Sequence, residues 1–305
     1  MNEVTKKLLT EISDWSGGYK GAYNIRVDGT CAGRQSSEHI HIETKSDNPG
    51  LVIRIDAGTK GETVSIPACV THGDVDDLVY NDFYVGEDAD VVIVAGCGIH
   101  VETGEPARHN GIHRFILARG AHVKYVEKHI GTGKGAGLRS IDPVTEAELA
   151  QDAVLEMDTA QIGGVDRSMR KTAAKLEKGS RLLIRERILT EHEQTAQTDF
   201  VVELNGEGSG VDLISRAVAR DRSHQGYHSV IIGNAPCTGH SECDAILSGS
   251  GTVDASPELH ARCEDAALIH EAAIGKIAGE QILKLRTLGL SEQEAESTII
   301  DGFLA

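Results

Sequence analysis

No stretch of this 305-residue sequence reaches the roughly 18 consecutive apolar residues of a membrane span. The N-terminus MNEVTKKLLTEISDW has no apolar run behind its charges, so it does not read as a signal peptide. Together these absences predict a cytoplasmic protein with no membrane partner. Positive charge is in deficit: 30 basic against 47 acidic residues leave a formal charge of -17, which opposes nucleic acid as a partner. The six cysteines, at 31, 69, 97, 237, 243 and 263, include no C-x-x-C pair, which excludes zinc-ribbon and thioredoxin-like motifs. In a cytosolic chain they are expected to be reduced, and most to serve as small buried hydrophobes.

The motifs of common hydrolases are missing as well. A zinc-protease helix needs H-E-x-x-H to put two imidazoles on one face, but the residue four after His270 is Ile274. There is no G-x-S-x-G, and GTGKGAG (131–137) does not satisfy G-x-x-x-x-G-K-[ST]. The segment HVETGEPARHNGIHRFI (100–116) carries His100, Glu102, His109 and His113, enough for a generic metal cluster. It reads first as a polar loop between two strands. EHEQTAQTD (191–199) reads as a solvated face or turn.

What the chain does have is 34 glycines and a succession of short β-branched runs. These include LVIRIDAG (51–58), TVSIPACV (63–70), DVVIVAGCGIHVE (90–102), SRLLIRERILTE (180–191) and YHSVIIG (227–233). Their length and composition predict strands, and no 10–15-residue amphipathic segments lie between them to form βαβ crossovers. An antiparallel sandwich and a stacked β-solenoid both fit. Glycine corners and only four phenylalanines and one tryptophan suit stacked rungs, but no crisp repeat selects them. The ends are helical. Val4, Leu8, Leu9 and Ile12 form an apolar stripe over residues 1–14. GEQILKLRTLGL (279–290) predicts a helix stopped near Gly289, and Ser291 with Glu294 makes a capping box that opens a second helix.

One constellation has a more definite chemistry. Cys243 opens the strand-like run CDAILSG, about one rung before CEDAALIHEAAIGKI (263–277). Stacking would bring the two segments side by side. A thiolate with imidazole and carboxylate suits iron or a transient iron–sulfur species, although zinc takes a similar set.

The segments ISRAVARDRSHQGYHSVIIG, HSECDAILSG and ALIHEAAIGKIAGEQILKLRTLGLSEQEAESTIIDGF, in this order, resemble the SufB/SufD family, the scaffold proteins of the Suf iron–sulfur assembly system. The resemblance implies an all-β core, a right-handed parallel β-helix, with a short N-terminal helix and a C-terminal α-helical hairpin. The expected division is 1–20, 21–275 and 276–305. The essential cysteine of the Q-C-D-S-[LM]-L segment of SufB falls on Cys243, and the E-H-E-A segment falls on Ile269, His270, Glu271 and Ala272. Cys243 would then be the sulfur acceptor and a ligand of a labile iron–sulfur cluster, with His270 and Glu271 as metal-binding neighbours. Ile269 replaces the first glutamate of that segment, and the pattern around Tyr227 and His228 also departs from the family's. The region before the β-helix is shorter than in a full SufB, and family members continue past Ala305 with a further helix.

The expected partners are a SufC-like ABC-type ATPase at the C-terminal helices, a second copy of the chain joined through the β-helix as a homodimer, and, transiently, a sulfur donor and apo iron–sulfur proteins. ATP hydrolysis would belong to the partner, so the chain is not expected to be an enzyme. A structural or regulatory partner of the ATPase without a cluster, and a β-helix metalloenzyme using the His100/His109/His113 region, are the alternatives. Cys263 could join the site but is expected to pack inside.

Overall fold

The computed structural model describes residues 1–305. Helix α1 (Glu3–Ser13) leads into β1 (Ala22–Val27), β2 (Thr30–Gln35), β3 (Ile40–Thr44), β4 (Gly50–Ile55), β5 (Lys60–Val70), β6 (Val75–Val85) and β7 (Asp90–His100). The middle is β8 (Ala107–Leu117), β9 (His122–Thr132), β10 (Arg139–Ile141), β11 (Val144–Leu149), β12 (Val154–Ile162), β13 (Arg167–Leu176) and β14 (Arg181–Thr190). The chain closes with β15 (Thr195–Leu204), β16 (Gly210–Ala219), β17 (His224–Gly233), β18 (Cys237–Leu247), β19 (Thr252–Ala261), β20 (Ala266–Gly275), α2 (Gly279–Thr287) and α3 (Glu292–Phe303).

The strands alternate between two sheets. One runs β2-β1-β5-β7-β9-β12-β14-β16-β18-β20. The other runs β19-β17-β15-β13-β10-β8-β6-β4-β3, with β11 between β8 and β13. Apart from the antiparallel pairs β1–β2 and β3–β4 at the N-terminal end, neighbours are parallel. This is the right-handed parallel β-solenoid with helical ends that the resemblance implied. Most rungs use strands of 10 or 11 residues, longer than the apolar runs of the sequence, because polar positions are taken into the interior.

The missing sequence repeat has a structural reason. Leu155 pairs with Leu182, Leu182 with Val211, Val211 with Gly239 and Gly239 with Leu268, so the spacing between stacked residues changes from rung to rung. The repeat survives in backbone conformation instead. Gly58, Asp88, Gly120, Asp152, Gly179 and Gly208 all have positive φ and stack at one corner, each N–H donating to a carbonyl of the next rung. Only glycine, or a short polar residue such as aspartate, takes that conformation readily.

Inward positions alternate with outward ones along each strand. The few aromatic rings gather in the core, with Phe83 and Phe115 stacked at 4.7 Å between centroids and Tyr125 edge-on to Phe115 at 5.1 Å. Helix α1 covers the outer face of the first sheet, burying Leu8, Leu9 and Ile12. Gly96 and Gly98 admit it: an added Cβ would come within 2.9 Å of Leu8 at Gly98 and 3.0 Å of the Ile12 carbonyl oxygen at Gly96. At the other end β19 and β20 are largely exposed. Helix α3 buries Ala295 and Ile300 and is tied to the solenoid by Arg216 Nη1, which donates to the Phe303 carbonyl at 3.1 Å. Its capping box, Ser291 with Glu294, is formed as the sequence predicts. No helix is long and apolar enough to cross a membrane.

Candidate functional site

Cys243 is fully buried on the inner face of β18. Its ladder neighbours are Ser215 on β16 and Ala272 on β20. Following the same inward position back through the first sheet gives Ser215, Glu186, Thr159 and Glu127. The thiol therefore ends a polar column running along the solenoid interior. Glu186 accepts hydrogen bonds from Thr198 Oγ1 at 3.1 Å and Ser215 Oγ at 2.9 Å. Arg170 stands between the two glutamates, its Nη1 2.7 Å from Glu127 and its Nε 3.3 Å from Glu186. Burial pushes the Cys243 thiol up to about 12, and the nearby Glu186 charge adds to the effect. Enclosed in this way, the group is a neutral thiol and not a thiolate nucleophile.

His270 shares the inner face with Cys243. It lies one strand over and two residues back, opposite Ser241, whose hydroxyl bonds Tyr227 Oη at 2.9 Å and Ser229 Oγ at 3.0 Å. The His270 Nδ1 is buried and has no hydrogen-bond partner, a costly state for an imidazole nitrogen. Glu271, the next residue, necessarily projects to the other side of the sheet. It is exposed and pairs with Glu242 of β18. Cys243 and His270 thus look into the solenoid, while Glu271 looks out.

On the outer face Glu271 finds different company. Potential ligand atoms of His240, Glu242 and Glu271 all lie within 4.8 Å of one another. His240 Nδ1 sits 2.7 Å from Asp212 Oδ1, so that carboxylate fixes the tautomer and leaves Nε2 with a free lone pair. Burial, with Asp244 as a second cause, raises the Glu242 pKa. One imidazole and two carboxylates suit a divalent cation. The signal for His240 and Glu242 was available in the sequence: in H-S-E the two residues are two apart on a strand and share a face.

Two further thiols lie close by. Cys237 is buried at the start of β18, and burial followed by the proximity of Cys263 raises its pKa. Cys263 is only half-buried, more open than the sequence reading expected, because it lies in the short turn between β19 and β20 at the open end.

The segment 100–116 is not a loop as a whole. Only residues 101–106 leave the sheets; His109 and His113 are buried on the inner face of β8, where imidazoles take positions that the alternation rule assigns to apolar side chains. His100 stands apart from them, bonded to Thr132 Oγ1 at 3.0 Å and to Glu102 at 3.2 Å. His192 of the other His-Glu pair lies in an exposed turn with φ +57°, as read.

Residues 80–303 match the family model described as SUF system FeS cluster assembly, SufBD core domain. Among curated proteins the chain is 30% identical over 272 residues to an iron-sulfur cluster assembly SufBD family protein of Methanothermobacter thermautotrophicus, covering 86% of this chain and 64% of the relative. It is 30% identical over 279 residues to a SufBD family protein of Archaeoglobus fulgidus, covering 89% and 72%. It is 24% identical over 225 residues to the iron-sulfur cluster assembly protein SufB of Bacillus subtilis, covering 72% and 47%. The chain therefore spans less than two thirds of the length of the first of these relatives.

Proposed function

The chain belongs to the SufB/SufD family of iron–sulfur cluster assembly proteins, and from that premise we propose that it is a scaffold on which a labile iron–sulfur cluster is built and handed on. Cys243 is the sulfur acceptor. Its thiol takes the outer sulfur of a donor persulfide, leaving the donor as a free thiol and Cys243 as a persulfide, with no net oxidation. Iron is the second substrate; His270 supplies a nitrogen donor on the thiol's side of the sheet, and Glu271 an oxygen donor that reaches the same iron only once β20 leaves β18. Such ligands hold iron less tightly than a set of four thiolates, which suits a cluster that must leave.

The observation that carries this reading is the position of β20. It bears both His270 and Glu271, lies directly over the Cys243 column, and is held by a strand on one side only. Residues 276–278 alone join it to α2, which buries none of its side chains and exposes Leu283, with Leu288 exposed just past its C-terminal end. A SufC-like ATPase gripping these helices would pull on β20, unpairing it from β18 and opening Cys243 to the donor. The free edges of β19 and β20 would serve a second copy of the chain, giving a homodimer whose two sites face each other across a two-fold axis. Hydrolysis of ATP is assigned to the partner. The three-part division 1–20, 21–275 and 276–305 follows the same logic: a cover, a cargo-holding solenoid and a lever.

The complete burial of Cys243 favours a second reading, in which the residue only packs and the chain is a cluster-free partner of the ATPase. One experiment separates them. Wild type and Cys243→Ala are reconstituted anaerobically with iron and sulfide, and iron, acid-labile sulfide and visible absorption are measured. The scaffold reading expects a cluster in the wild type that is lost in a folded Cys243→Ala protein. Equal spectra, or no cluster in either, would leave only the packing role.

A further inference from the structure

Near the N-terminal end of the solenoid a cleft of about 250 Å³ reaches into the interior, far from Cys243 along the stack. His109, Gly111 and His113 of β8 and Asn81 of β6 border it from the inner face of the second sheet. Gly111 leaves a gap: a methyl group built on it would sit 3.1 Å from His113 Nε2 and 3.5 Å from His109 Nε2. Both imidazoles therefore present the same nitrogen to the same space.

Their tautomers are fixed by what lies behind them. Arg26 donates to Asp77 at 2.6 and 2.8 Å. The two bonds go to different carboxylate oxygens, Nη2 to Oδ1 and Nε to Oδ2, so the guanidinium grips the carboxylate fork to fork. Asp77 is thus a carboxylate that can only accept, and His109 Nδ1, 3.1 Å away, must be the donor. Tyr125 spends its single hydroxyl proton on Glu127 at 2.8 Å, so towards His113 Nδ1, also at 2.8 Å, it accepts. His113 Nδ1 is then the protonated nitrogen as well. Two Nε2 lone pairs border one gap inside a protein.

The third neighbour tells the same story. Asn81 is 4% exposed, its Nδ2 is 3.3 Å from His113 Nε2, and its Oδ1 is buried without a partner. Turning the amide over would bring that oxygen towards the gap. The gap then has three electron-pair donors, a set that attracts a cation and repels an anion. His129 does not contribute, since its Nε2 faces Glu127 at 3.3 Å and its Nδ1 faces Arg170 at 3.5 Å.

We propose that this gap binds one divalent transition-metal ion of the zinc or iron(II) kind, held by Nε2 of His109, Nε2 of His113 and Oδ1 of Asn81. Imidazole donors select these metals over magnesium or calcium, which take oxygen ligands. Asp77 and Tyr125 are positioning residues that orient the rings from behind, as outer-shell partners of metal-bound histidines do. The site is separate from Cys243 and does not depend on the scaffold reading.

The test is calorimetric titration of chelator-stripped protein with zinc chloride and, anaerobically, with iron(II), in a His240→Ala background that removes the outer His240/Glu242/Glu271 set. Gly111→Ala is the decisive variant, because it fills the gap while keeping every ligand, and the atoms it presses on are the tips of two side chains. The background protein should bind one ion. Gly111→Ala and His109→Gln should each weaken that binding at least tenfold while the thermal midpoint stays within a few degrees of the parent, and Cys243→Ala should bind as the parent does. Absence of binding in the background protein, or a Gly111→Ala protein that binds as tightly as its parent, would overturn the proposal. If His109→Gln fails to fold, Gly111→Ala alone decides.

Discussion

Replacing Arg170 with methionine removes a guanidinium from between two buried carboxylates and puts an unbranched apolar chain in its place. The side chains of Arg170, Glu127 and Glu186 are 6%, 5% and 2% exposed, so water cannot take over as partner. Breaking a buried ion pair by deleting one member costs about 3–5 kcal/mol, because the remaining charge is left desolvated. Here two carboxylates lose their cation, although Glu186 keeps Thr198 and Ser215 and Glu127 keeps Tyr125 and His129. The expected loss is therefore about 3–5 kcal/mol and not twice that. At about 2 °C per kcal/mol for a chain of this size, the thermal midpoint should fall by roughly 6–10 °C.

The pH dependence gives the sharper check. In the native chain burial would raise Glu127, but His129 and Arg170 hold it well below the ordinary value, while burial leaves Glu186 raised despite Arg170. Without the guanidinium Glu127 loses one of the charges that lower it, and the Glu186 value, already raised, moves further above that of the unfolded chain. The folded variant then binds more protons than the unfolded one between the two, so its stability falls as pH rises through that window. Urea unfolding at pH 8 and pH 5.5 should show a penalty that is largest at pH 8 and smaller at pH 5.5. Adding Glu127→Gln and Glu186→Gln to Arg170→Met should recover much of the loss. A deficit below about 1 kcal/mol at pH 8, well short of the value for an orphaned buried charge, would refute this reasoning, as would a deficit that does not change with pH.

Two further perturbations test the covers at the ends of the solenoid. Leu9→Ala removes a side chain with no exposure from beneath α1 and should cost about 2–5 kcal/mol; limited proteolysis should then cut within residues 1–21 before any cut in the rungs. Ser291→Ala deletes half of the capping box of α3 and should cost about 1 kcal/mol, read as faster amide exchange at residues 292–295 with β16 unchanged; uniform acceleration across the solenoid would show instead that α3 is part of its cooperative unit.

Features that depend on neighbours in sequence were legible, and those that depend on register were not. The strands, the helical stripe of Leu8, Leu9 and Ile12, the stop near Gly289 and the Ser291–Glu294 box are all set within a few residues, and the structure places them as read. The column from Glu127 through Glu186 to Cys243 was invisible, because corners of different length separate its members and no fixed spacing connects them. Polarity makes His109 read as a loop residue, while His113 falls both in that loop and at the start of the strand-like run HRFIL. Yet H-N-G-I-H-R-F-I-L alternates from His109 to Leu117, and a strand reading that ignored polarity would have put both rings inside.

The same alternation bears on how Cys243, His270 and Glu271 can act together. Consecutive residues of a strand cannot serve the same side of a sheet, so His270 and Glu271 meet one ligand only where the sheet ends or opens. β20 is such a place, with one neighbour and an exposed flank. While it stays paired, the Cys243 thiol is sealed in the interior, and the nitrogen and oxygen donors of His240, Glu242 and Glu271 are displayed outside. A covalent tie that holds β20 against β18 discriminates between these states. Paired cysteines in place of Thr238 and Ala267, which are ladder neighbours on the outer face, should oxidise to a disulfide only when the strands are paired. On the scaffold reading the oxidised protein should fail to accept sulfur at Cys243 and should regain that capacity on reduction. Sulfur loading that proceeds equally in the oxidised and reduced forms would mean that the donor reaches Cys243 by another route, and that β20 is not the gate.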